Sequence, residues 1–187
     1  MAIRVLLLFL IAFSAASFAL GAEVAGVKVP DEDQKLLLNG AGLRKRAFFQ
    51  VYVIGLYLPE KKTAAAEVIG SPGAKRVLIH MMRDVDAEQF SGALTDGMKD
   101  NLSEAEMKGF EPRIRQLSGI MAGMKEAKKG MRITLDWTPA GTAVTVEGKP
   151  AGATIPGEDF YRALLKIWLG DKPVQADLKG ALLGEKQ

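Results

Sequence analysis

The chain has 187 residues, a formal charge of +3, 48% hydrophobic residues and no cysteine. That apolar content excludes a disordered chain, and so small a positive excess, spread along the sequence, excludes a nucleic-acid footprint. Without cysteine there is no thiol catalysis, no disulfide and no lipoprotein anchor.

The N-terminus reads as an export signal. Arg4 precedes an unbroken apolar run from Val5 to Ala12, and Ala19-Leu20-Gly21-Ala22 offers the small-residue pattern of a signal peptidase site. The run is short for a membrane span, which takes about 20 apolar residues. Residues 1–22 are therefore expected to be a signal peptide and 23–187 a single domain, released to the periplasm or outside the cell as a monomer. An uncleaved N-terminal anchor is the alternative.

Glu23 to Pro30 reads as a short strand and Lys35 to Asn39 as another, followed by a flexible turn at Gly40-Ala41-Gly42. Ala47 to Leu58 is the strongest strand of the sequence, rich in aromatic and β-branched residues and stopped by Pro59. Its apolar residues stand at both odd and even positions. Both of its faces should be covered, one of them by protein or by a ligand.

Thr63 to Ile69 reads as a short helix and Arg76 to Val85 as a strand. Asp86 with Gln89, and Ser103 with Glu106, each have capping-box spacing before a helix. Phe90, Leu94 and Met98 form the buried stripe of the first helix. Met107, Phe110, Ile114, Leu117, Met121 and Met124 form that of the second, which Pro112 should kink or restart. Met131 to Trp137 and Val144 to Val146 alternate around Pro139-Ala140-Gly141 as a hairpin. Helices are expected from Glu158 to Leu169 and from Gln175 to Leu183. Strands followed by helices, a hairpin and more helices suit an α+β fold: an antiparallel sheet with helices gathered on one face, and room for an apolar pocket between them.

Conventional catalytic sets are missing. The single histidine, His80, stands in a predicted strand and reads as a half-buried structural residue. No histidine or cysteine pair suits zinc, Asp31-Glu32-Asp33 lacks calcium-loop spacing, and no glycine loop suits a nucleotide. No metal or cofactor is expected. The methionines fall mostly on core faces, where they serve as adaptable packing or as a pliable ligand wall.

Two passages resemble the chalcone isomerase-like family. One is Leu38-Asn39-Gly40-Ala41-Gly42-Leu43-Arg44 followed by Val51-Tyr52-Val53-Ile54-Gly55-Leu56-Tyr57-Leu58. The other is Phe160 to Leu183, containing Leu169-Gly170-Asp171-Lys172-Pro173 and Ala176-Asp177-Leu178-Lys179. The resemblance implies an open-faced β-sandwich, a large antiparallel sheet covered on one face by helices. It places Arg44 where the family's enzymes hold a phenolate, a task suited to a charged, forked guanidinium. The family's other catalytic positions fall at Tyr52, Phe90, Gly97 and near Ile167, so three polar groups are replaced by carbon or by nothing. Arg44 together with Tyr52 is similar to the family's fatty-acid-binding branch, in which the two grip a carboxylate.

The resemblance therefore implies a non-catalytic protein binding a fatty acid or similar amphiphilic anion. Arg44 and Tyr52 would hold the head group, and Phe90, Leu94, Ile167 and Trp168 would wall the chain. Read without the resemblance, Arg44 opens the solvated run Arg44-Lys45-Arg46 and Tyr52 is a packing residue. A weak intramolecular lyase of chalcone isomerase type and a partner-binding protein of the cell envelope are the alternatives.

Overall fold

A computed structural model describes residues 21–185. The expected signal peptide lies outside the described residues for all but Gly21 and Ala22.

The chain opens with β1 (Ala22–Val24) and β2 (Val27–Val29), then β3 (Glu32–Asp33), β4 (Leu36–Arg46) and β5 (Phe49–Leu58). After α1 (Ala65–Gly70) come β6 (Lys75–Met81), β7 (Val85–Asp86), α2 (Ala87–Lys99), α3 (Glu104–Ala122) and β8 (Glu126–Ala127). The chain finishes with β9 (Arg132–Thr138), β10 (Gly141–Val146), β11 (Lys149–Pro150), α4 (Glu158–Leu169) and α5 (Ala176–Leu182). Seven strands form one antiparallel sheet in the order β11-β10-β9-β6-β5-β4-β3.

The alternation of β5 explains the sandwich. Tyr52, Ile54, Leu56 and Leu58 point to one face and join the main core, with Ile79 and Met81 of β6, Ile133 and Leu135 of β9, and the helices. Val53 and Tyr57 point to the other face, where they pack with Leu38 and Val29. Both faces of β5 are thus covered, as its continuous apolar run requires, and the second cover is the β1–β2 hairpin. The expected single strand from Glu23 to Pro30 is this hairpin, because Ala25 and Gly26 take positive φ and turn the chain.

Glycine misleads at Gly40-Ala41-Gly42. These residues are the middle of the eleven-residue strand β4, not a turn. Gly40 is needed for close approach: a Cβ there would stand 2.1 Å from the Ala181 carbonyl oxygen of α5. Asn39 fastens the same crossing, its amide donating to the carbonyls of Leu182 at 2.7 Å and Lys62 at 2.9 Å.

The helices follow their patterns. Ser103 and Glu106 make a complete capping box on α3. Asp86 accepts from the backbone N–H groups of Glu88 and Gln89 at the start of α2. Pro112 does not restart the helix; α3 runs through it, and the exposed side at Lys108 and Pro112 leaves the freed carbonyl to water. No described helix is long and apolar enough to cross a membrane.

Candidate ligand site

Strand register brings Arg44 and Tyr52 together. They are paired neighbours across β4 and β5 and share the helix-facing side. A β-bulge follows at once between Arg44 and Lys45, where β4 runs out toward solvent.

Gln175, just before α5, clasps that bulge. Its side-chain amide donates to the Leu43 carbonyl at 3.0 Å, and its oxygen accepts from the Lys45 N–H at 2.8 Å. The same oxygen accepts from Arg44 Nη1 at 3.3 Å, and the guanidinium also donates to the Lys45 carbonyl. Arg44 is thereby held half-buried at the rim. Among the described residues no carboxylate forms an ion pair with it. The nearby residues offer it carbonyl dipoles and no countercharge.

Tyr52 lies just inside, 7% exposed. Trp168 of α4, 1% exposed, donates its indole N–H to the Tyr52 hydroxyl at 3.0 Å. The hydroxyl oxygen is therefore an acceptor toward Trp168. Its own proton is left to donate elsewhere, and it has no acceptor among the described residues. Burial pushes the Tyr52 phenol up, while the Trp168 hydrogen bond and the Arg44 charge pull against it. The group is a neutral donor at physiological pH.

Phe90 meets the Tyr52 ring edge-on, with centroids 6.4 Å apart. Leu94 stands one turn further along α2, and both are buried. Ile167 precedes Trp168 on α4, and α2 crosses that helix at Gly97, where a Cβ would approach Ile167 Cγ2 to 2.8 Å. All six expected residues thus belong to one region: Arg44 at the rim and Tyr52, Phe90, Leu94, Ile167 and Trp168 in the main core behind it.

Tyr52, Phe90, Leu94, Ile167 and Trp168 are all buried in one packed apolar cluster. Among the described residues, open cavities of 530, 510 and 660 Å³ lie elsewhere, and these are not lined by the six residues. The first is on the outer face beside the β1–β2 hairpin and includes half-buried His80. The third is an apolar groove between Ile120 of α3, Met124 just after that helix and Val146 of β10. Phe90, Gly97 and Ile167 contribute no side-chain hydroxyl or amide beside Tyr52.

The family profile of chalcone isomerase-like proteins matches residues 21–184. The chain belongs to the chalcone isomerase-like family. The fatty-acid binding protein of Arabidopsis thaliana has a similar solved structure, with a TM-score of 0.68 at 16% identity. The match covers 84% of this chain and 92% of that one, so the two share the fold. No curated protein sequence matches the chain. This family fold explains why β4 must stay extended through its glycines: the Gly40–Gly42 segment carries Arg44 into register with Tyr52.

Sequence reasoning missed two features. One is Gln175, 131 residues from the arginine it positions, for which no local pattern exists. The other is a buried ion cluster on the outer face. There Arg76 donates to Asp136 at 2.7 and 2.8 Å and to Asp33 at 2.7 Å. Strand register creates it by pairing Arg76 with Asp136.

Proposed function

We propose that this chalcone isomerase-like chain is an exported, non-catalytic binding protein for a fatty acid or a similar amphiphilic anion. Arg44 and Tyr52 hold the carboxylate, and Phe90, Leu94, Ile167 and Trp168 wall the chain. The observation that carries this reading is the pair itself: a guanidinium without a carboxylate partner among the described residues, next to a buried hydroxyl that accepts from Trp168 and so keeps its own proton to donate. Two donors of that kind suit one carboxylate, whose removal from water costs several kcal/mol unless it is paired. The likeness to a fatty-acid binding protein supports the same ligand class. The charged start, apolar run and small-residue stretch at the N-terminus support export.

Displacement of a fluorescent fatty acid by oleate tests the reading. Loss of a charge-assisted hydrogen bond is worth about 1.5–3 kcal/mol, so Arg44→Ala should weaken binding roughly tenfold or more. Equal affinity in wild type and Arg44→Ala would refute the clamp. Chalcone cyclisation is expected at the rate of buffer alone, because carbon occupies the positions at Phe90 and Ile167.

A further inference from the structure

Phe48 and Phe49, at the tip of the β4–β5 hairpin, lie outside both apolar clusters of the fold. Arg46 pairs with Phe49, leaving Ala47 and Phe48 as a two-residue turn. Ala47 takes a φ of 52°, where such turns ordinarily place glycine or asparagine. Phe48 is 99% exposed and Phe49 59% exposed. With Leu37 they are the exposed large hydrophobic side chains among the described residues. Arg83 lies over the Phe49 ring, its guanidinium carbon 4.6 Å from the centroid. A turn that accepts backbone strain and still shows two aromatic rings to solvent is built to meet something.

The surrounding charge indicates what. Lys45 and Arg46 flank the turn on β4, and Arg83 stands beside it in the bend between β6 and β7. Lys128 and Lys129 join the same end of the sheet through the Lys129 N–H to Asp84 carboxylate bond, 2.7 Å, and the Gly130 N–H to Met81 carbonyl bond, 2.8 Å. All five cations are exposed. The carboxylates on these segments are Asp84, Asp86 and Glu126, and Glu147 accepts from the Arg132 N–H next to them. Asp84 is engaged with the Lys129 N–H and Asp86 caps α2.

We propose that this hairpin tip docks on an anionic lipid bilayer. Phe48 and Phe49 enter the interface, and Lys45, Arg46 and Arg83, with Lys128 and Lys129 behind them, meet the head groups. Apolar insertion and a basic patch are the two signals that peripheral binding needs together, since either alone is marginal. Docking does not rest on the ligand reading. If both hold, Arg44 and Tyr52, immediately behind the tip on the same two strands, face the lipid surface and take their amphiphile from it.

A local probe separates this from any other membrane contact. The chain has no cysteine, so Ala47→Cys carries a single environment-sensitive dye at the tip of the full-length protein. With vesicles of phosphatidylglycerol and phosphatidylcholine its emission should move to the blue. The shift should shrink with phosphatidylcholine alone and in high salt. Phe48→Ser with Phe49→Ser should lower vesicle affinity about tenfold or more. Lys45→Ser and Arg46→Ser should each lower it about fivefold. Unchanged near-ultraviolet circular dichroism and unchanged fluorescence of Trp137 and Trp168 together confirm that these variants fold. Vesicle binding with no shift at the probe would place the contact at another segment and overturn the proposal. So would an equal shift in the double serine variant. A shift without vesicles that grows with protein concentration would assign the tip to a second copy of the chain and overturn it as well.

Discussion

Removing the Tyr52 hydroxyl should destabilise the fold as well as the candidate clamp. In Tyr52→Phe the ring stays in its place against Phe90, but Trp168 keeps an indole N–H with no acceptor in a region 1% exposed. An orphaned buried donor costs about 1–3 kcal/mol. For a domain of roughly 150–250 residues each kcal/mol lowers Tm by about 2–4 °C, so a fall of about 2–12 °C is expected. Trp168→Phe removes the donor but also volume, so the single variants do not isolate the bond. The double variant Tyr52→Phe/Trp168→Phe does: it leaves no unpaired N–H, and its cost should fall short of the sum by about 1 kcal/mol or more. Urea unfolding monitored by far-ultraviolet circular dichroism gives all four corners of the cycle. A coupling energy below about 0.3 kcal/mol would mean that the bond does not fix Tyr52, and the reasoning that its proton is aimed outward would fall with it.

Three further outcomes follow from packing and burial. Gly97→Ala should destabilise by about 1 kcal/mol, because the new Cβ meets Ile167 at 2.8 Å, whereas Gly109→Ala on exposed α3 meets nothing and should stabilise by about 0.5–1 kcal/mol; thermal melts of the two variants should move in opposite directions. Arg76→Ala should cost about 3 kcal/mol in urea unfolding, because it strands Asp136 and Asp33 together on a largely covered face. All three tyrosines have phenols pushed up, chiefly by burial. A raised folded pKa gives stability that is complete below the unfolded value of about 10 and is lost as pH rises beyond it. Tyrosinate absorbance should therefore appear together with unfolding, and a phenolate signal in a chain with intact circular dichroism would contradict this.

Periodic segments were legible in the sequence because their physics is local. Helix α4 runs from Glu158 to Leu169 as its pattern requires, with Gly157 at positive φ before it and Gly170 after it. Strand β5 was legible too, although its first two expected residues, Ala47 and Phe48, form the hairpin turn. Gly40 was not legible, because a glycine that turns the chain and a glycine that admits another backbone look alike until α5 is in place. The six candidate residues could be named through their family resemblance. Their cohesion is nonlocal: the Trp168–Tyr52 bond spans 116 positions and the Gln175–Arg44 contact 131. The Arg76 cluster likewise exists only once β6 and β9 pair.

The closed core behind Arg44 sets a condition on any acyl ligand, since a chain entering next to Phe90 and Leu94 must move a helix. The two candidates differ in what they would lose. Helix α4 buries eight of its twelve residues, Trp168 among them. Helix α3 buries three of nineteen, Phe110, Leu117 and Met121, and contains Pro112, Gly109 and Gly119. Lifting α3 exposes far less apolar surface and starts from the weaker helix. It also leaves Trp168 holding Tyr52, so the head-group site would stay formed while the chain side opens toward the groove at Ile120 and Met124. Native-state hydrogen exchange should accordingly show amides of α3 opening at lower free energy than those of α4. Saturating oleate should slow exchange in α3 more than in α4. Equal opening energies for the two helices, or protection confined to α4, would mean that entry does not run under α3.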